Sequence, residues 1–91
     1  MLALGLGNSI VSASSITPTH DVHHLTGTNT INTIVPPSPD FCGMVTFIVE
    51  ESCSFTSSGG NIARSVSVSV TLTALQFIYN PNTSKWYPNY N

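Results

Sequence analysis

Charge is what this sequence has least of. Only 7% of its 91 residues are Asp, Glu, Lys or Arg, against a usual share of about 25%. The only cations are Arg64 and Lys85. A nucleic-acid binder neutralises phosphates with clustered Lys and Arg, and two scattered cations leave no such footprint. The same shortage argues against an anionic membrane surface. Long apolar runs are missing too: no stretch approaches the ~20 residues of a membrane-spanning helix. The opening Met-Leu-Ala-Leu-Gly-Leu-Gly has no basic flank and is broken by glycine, so it is expected to stay uncleaved on a soluble chain. Cysteine is scarce. Cys42 and Cys53 are too few for a disulfide framework. They flank the apolar run 43–49, which leaves open either a bridge across adjacent strands or two reduced, partly buried thiols. Finally, no segment keeps apolar residues at i, i+3 and i+4, so amphipathic helices are not expected.

Catalytic patterns are equally thin. There is no Gly-x-Ser-x-Gly elbow, and Gly59-Gly60 lacks the Lys-Ser/Thr of a phosphate-binding loop. Of the acids, Asp21 and Asp40 are isolated and the neighbours Glu50 and Glu51 splay apart on a strand, which is a poor basis for a paired-carboxylate glycosidase. One titratable cluster exists, His20, Asp21, His23 and His24. On a strand His23 and His24 point to opposite faces, while His20 and His24 share a face but stand about 13 Å apart at ~3.3 Å per residue. A single-chain metal site is not expected there; a histidine from each of three chains on a threefold axis stays open beside a plain polar strand face. The reading is no enzyme, no cofactor and no metal.

What the chain has is hydroxyls and alternation. Ser and Thr number 24 and Asn adds 8. Ser65 to Leu72 alternate strictly, which predicts a strand with Val66, Val68, Val70 and Leu72 facing a core and Ser65, Ser67, Ser69 and Thr71 facing water. Further strands are predicted at 20–26, 30–35, 43–49, 52–56 and 85–87, with turns at 27–29, 57–61 and 80–84. The run 36–40, Pro-Pro-Ser-Pro-Asp, cannot join a sheet interior. The segment 62–80 slips phase at Ala74, which predicts a bulge or a change of sheet at 73–75. Gly43 to Val49 is apolar on both faces, as in a central strand or one whose outer face meets a partner.

Residues 1–16 read as an extended arm before a single β-domain at 17–91. Leu2, Leu4 and Leu6 give the arm one apolar edge, and 12–15 is small and flexible. An edge strand of the same domain fits the arm equally well. About seven short strands at regular spacing predict an all-β fold, a small antiparallel sandwich, jelly roll or barrel. With no long-period repeat in view, a solenoid is not expected. Trp86, Tyr87 and Tyr90 either close the core or form a recognition surface.

In order, the motifs are His23-His24-Leu25-Thr26-Gly27-Thr28, Ile31-Asn32-Thr33-Ile34, Pro36-Pro37, Gly43-Met44-Val45-Thr46-Phe47-Ile48, Ser58-Gly59-Gly60-Asn61-Ile62-Ala63, Leu75-Gln76-Phe77-Ile78-Tyr79-Asn80 and Lys85-Trp86-Tyr87-Pro88. Over residues 17–90 this order resembles a small β-domain of tailed-phage virion proteins, found near the C-terminal end of tail fibres and spikes. The resemblance implies a non-catalytic, trimeric module for assembly or attachment. The leading expectation is a homotrimeric capsid decoration (cement) protein in the virion, partnered by itself and the major capsid protein. Its expected contacts are Leu2, Leu4 and Leu6 on the arm and Met44, Phe47 and Ile48 on the doubly apolar strand. The alternative is a tail-fibre or spike tip that binds a host glycan through Trp86, Tyr87 and Tyr90. A third reading is a secreted β-domain with a Cys42–Cys53 disulfide.

Overall fold

Alternation of apolar and hydroxyl side chains, with little to favour a helix, gives a chain built from strands. The computed structural model describes residues 2–68 and 71–89, and among these there is no helix. The strands are β1 (Ala3–Leu6), β2 (Ile10–Val11), β3 (Ser15–Ile16), β4 (His20–Thr26), β5 (Thr30–Ile31), β6 (Thr33–Ile34), β7 (Gly43–Val49), β8 (Cys53–Phe55), β9 (Val66–Val68), β10 (Thr73–Asn80) and β11 (Lys85–Pro88).

They form three sheets. The main sheet has the order β1-β4-β7-β10-β11, with β2 also paired to β4; β5-β8-β9 form a side sheet and β3-β6 a small third one. The expected antiparallel architecture is corrected here. The pairs β1/β4, β2/β4, β3/β6, β4/β7 and β5/β8 are parallel; only β7/β10, β10/β11 and β8/β9 are antiparallel. The parallel pairs record a winding. Residues 20–34 visit the main, side and third sheets in turn, and residues 43–61 repeat the circuit one layer on. Val22 stands opposite Thr46 and Ile31 opposite Phe55, each 24 residues later. Residues 2–16 make a shorter first pass, through the main and third sheets alone. Antiparallel β10 and β11 then extend the main sheet beyond β7, and β9 extends the side sheet beyond β8.

The arm is therefore not extended away from the domain. β1 and β2 are edge strands of the main sheet, and Leu2 is buried. Ala3 faces His20 and Leu6 faces Val22, so β1 carries one extra residue. Gly5, at φ 93°, absorbs this bulge, and its N–H donates to Asp21 Oδ1 at 2.7 Å. The expected flexible run 12–15 is pinned as well. Ser12 is buried, and its Oγ accepts from Asn29 N at 3.0 Å. Ser14 O accepts from Asn32 N and Thr33 N, both at 3.0 Å.

Inside the winding, Leu25, Ile31, Ile34, Val45, Phe47 and Phe55 meet Leu75, Phe77, Tyr79 and Trp86. Phe47, Phe55 and Phe77 contact one another with ring centroids 4.8–6.2 Å apart. Such pairs add roughly 0.5–1.5 kcal/mol each beyond the area they bury. Val66 and Val68 face this core and Ser67 faces water, as the alternation predicts. Leu72, by contrast, is exposed at φ 60° where the chain leaves the side sheet for β10. Val70 and Ser69 lie outside the described residues. The phase slip near Ala74 is thus a change of sheet between β9 and β10.

Candidate interaction surfaces

Three regions of the surface hold the residues nominated from sequence. The first is the end of the winding that the first pass forms. There β1 ends the main sheet, β3 the third sheet and β5 the side sheet. Leu4, Leu6 and Val11 are exposed on it. At the opposite end the outer edge of β11 is occupied: Trp86 N donates to Asn61 O at 2.8 Å, and Ala63 N donates to Trp86 O at 2.9 Å. The main sheet therefore has one open edge and one that is covered.

The second region is the outer face of the main sheet. Strand β7 is central in the main sheet, as one reading of its doubly apolar pattern expects; its inward side chains, Val45, Phe47 and Val49, are buried while Met44, Thr46 and Ile48 point outward. Ile78 has Met44 as its neighbour on β7 and Tyr87 on β11. These three are 53%, 45% and 41% exposed and form one apolar row. The next row is uncharged: Val22 is opposite Thr46, which is opposite Gln76. Asn89 brackets Gln76, its N–H donating to Gln76 O and its Oδ1 accepting from Gln76 N, both at 2.9 Å. A third row joins His24, Ile48 and Ala74. Two charged residues stand at opposite ends of this face. Lys85 is at the β11 corner, and Glu50, in contact with His24 Nδ1, is at the far end of the central strand β7.

The third region is a shallow cavity of about 280 Å³ lined by Thr28, Ser52, Cys53, Ser54, Ser67 and Val68. Its walls carry hydroxyls, one thiol and the apolar Val68. Burial pushes the Cys53 thiol up from its ordinary pKa, so it is a poor nucleophile at neutral pH. Both cysteines are free, Cys42 exposed and Cys53 buried. The seven residues of β7 span about 23 Å, and four more can retrace at most about 14 Å. The two Cα atoms thus stay roughly 9 Å apart, beyond the ~7 Å reach of a disulfide. The proposed bridge is not formed.

Two nominated contacts are corrected by burial. Phe47 lies wholly within the core, because alternation on β7 turns it inward between Val45 and Val49. Trp86 is also fully buried, and its Nε1–H donates to Ile34 O at 2.8 Å. Neither can touch a partner. Leu2 is covered too. Leu4, Leu6, Met44 and Tyr87 are exposed and Ile48 is half-buried; Tyr90 lies outside the described residues.

The histidines do not share a site. His23 is buried against the first pass rather than on a polar face. Its Nε2 accepts from Thr19 N and His20 N, both at 3.0 Å, and its Nδ1 meets Asn8 O at 2.6 Å. Those partners assign the proton to Nδ1 and leave no ring nitrogen for a metal. Gly7 closes over the ring so tightly that a Cβ there would collide with His23 Cε1. Among the described residues no group of three or more His, Cys, Asp or Glu is placed to hold a metal ion. Sequence reasoning missed the row centred on Ile78, whose signal was present in the outward phase of β10 once Leu75, Phe77 and Tyr79 were assigned inward.

No protein-family model, no curated protein and no solved structure matches this chain.

Proposed function

We propose that this chain is a non-enzymatic structural module of a virion, one that seats its open end on another β-layer of a larger assembly. The observation that carries the reading is the asymmetry of the main sheet. The main sheet leaves an open edge at the first pass, where exposed Leu4, Leu6 and Val11 accompany it, whereas Asn61 and Ala63 occupy its other edge at β11. An unpaired strand edge is a template for another strand. A surface so poor in charge gains by being covered, since little self-repulsion keeps free copies apart. The virion setting comes from the resemblance of residues 17–90 to phage β-domains. Within that setting, a terminal module of an attachment fibre or spike suits a body whose main sheet is open at one edge and covered at the other.

Capsid decoration is the second reading, favoured by the apolar row on the outer sheet face. It no longer includes an arm thrown across neighbouring subunits, because β1 and β2 are paired within their own domain.

The experiment is immunogold labelling of intact phage particles with an antibody to the folded chain. Label at the tail supports the first reading, and label distributed over the head supports the second. Particles that incorporate the chain nowhere would overturn both. Leu4→Asp with Val11→Asp should keep the fold, since both side chains are exposed, and should reduce incorporation at least ~10-fold if the open end is the seat.

A further inference from the structure

The outer face of the main sheet offers a second surface, and it differs from the open end in chemistry. We infer that this face pairs with the same face of a second copy of the chain, in a two-fold, face-to-face dimer whose strands cross at about 40°. The inference is independent of the virion reading, since it concerns copies free in solution.

The pattern of charge selects the occupant. The apolar row Met44, Ile78 and Tyr87 lies between strands β7, β10 and β11, and the adjoining Thr46, Gln76 and Asn89 are neutral hydrogen-bonding groups. The face therefore presents nothing that repels its own image. Lys85 stands at one corner, with no acid paired to it among the described residues. Glu50 stands at the far end of the central strand β7. A two-fold axis lying in the interface, perpendicular to the line joining the two, sets Lys85 of each copy opposite Glu50 of its mate. Lys85 lies two strands across and eight residues along from Glu50, roughly 10 Å by 26 Å, so that operation crosses the strands at about 40°, close to the aligned packing of two sheets. A single symmetric operation thus meets both the charge and the packing requirements, and the contact closes as an isologous pair.

The size of the face sets the strength. Five strands at ~4.8 Å and seven residues at ~3.3 Å give roughly 550 Å² per copy. A standard interface uses about 800 Å² per partner, so the dimer belongs to the weak, reversible class.

The test is sedimentation velocity on the whole chain over rising concentration, up to about 1 mM. A reversible monomer–dimer equilibrium is expected. Ile78→Lys should weaken it at least ~10-fold while leaving circular dichroism and thermal unfolding unchanged, since Ile78 points to solvent. Lys85→Glu and Glu50→Lys should each weaken it, and the double exchange should restore it, because the pair is regenerated with its signs swapped. Leu4→Asp with Val11→Asp should leave it intact. A chain that stays monomeric throughout, a trimer, a dimer indifferent to Ile78→Lys, or a double exchange that fails to rescue would each overturn the proposal. A dimer lost only with Leu4→Asp and Val11→Asp would transfer the contact to the open end and overturn it as well.

Discussion

At the scale of single residues, adjacent side chains in this chain have opposite fates, and burial decides which. Trp86 closes the core and Tyr87 faces water, its hydroxyl 3.0 Å from Thr83 Oγ1. The sequence left this aromatic pair between core and recognition, because alternation alone does not say which member points inward. Trp86→Phe keeps most of the ring but removes one donor to Ile34 O. Ile34 O keeps its second donor, Asn61 Nδ2 at 2.7 Å, so the loss is that of one net hydrogen bond, about 0.5–1.5 kcal/mol, and urea denaturation should show a loss of at least that size. Tyr87→Phe should shift the same midpoint by less than about 0.5 kcal/mol. The cysteines form a second such contrast. A thiol reagent should modify Cys42 at once and Cys53 only when the fold opens. The sign of the pH effect follows from burial. The folded state holds the Cys53 proton more tightly than the unfolded chain does, with a raised pKa. Its contribution is therefore fully present below the unfolded value of about 8.5 and is lost as pH rises through the folded one. Stability measured by urea should fall on the alkaline side, and the fall should be shallower in Cys53→Ala.

Elements were the most legible level, for a reason of period. The strands at 20–26, 43–49 and 85–88, and the turn after Asn80, announced themselves through alternation and through Gly, Pro and Asn at their ends. The stretch 30–35 was less clear. It divides into β5 and β6, which belong to different sheets, and Asn32 makes the corner between them. A corner formed by one residue leaves almost no compositional mark. The partner of that corner was invisible as well. Asn61 completes the third pass with its side chain, Oδ1 accepting from Ile34 N at 2.9 Å and Nδ2 donating to Ile34 O at 2.7 Å, as a strand backbone would. Gly60 lets this happen, since a Cβ at that position would collide with the carbonyl of Asn32. Backbone does not yield as a flexible side chain does. Gly60→Ala should therefore cost at least ~3 kcal/mol and lower the melting temperature more than Gly59→Ala, despite the positive φ of Gly59, where the nearest atom is 3.9 Å away.

Over the whole molecule, the winding escaped the sequence because its passes are unequal. The second and third are 24 residues apart at Val22/Thr46, yet Ala3 stands only 17 residues from its partner His20 and Ile10 only 15 from Leu25. No fixed period survives such offsets, and the Pro-rich run 36–40 lengthens one circuit further. The same inequality governs how the fold should open. The first pass contributes only Leu2 and Ile16 to the fully buried core, with Ile10 packed against it. It is tied on through backbone bonds to β4 and β6 and through the His23 ring. The pair β7/β10, in contrast, runs seven residues in register and carries Phe47, Leu75 and Phe77. Regions with little buried apolar area open at lower free energy than the global transition. Native-state hydrogen exchange should therefore show amides of β1 to β3 exchanging first, through a sub-global opening, and those of β7 and β10 last, at the global limit. Seating the open end on a partner layer would reverse that order for the first pass, because binding stabilises what it contacts in proportion to occupancy. Protection gained selectively at residues 3–16 on assembly, with β7 unchanged, is the pattern that this architecture requires. Protection gained first at Met44, Ile78 and Tyr87 would instead mark the outer sheet face as the surface in use.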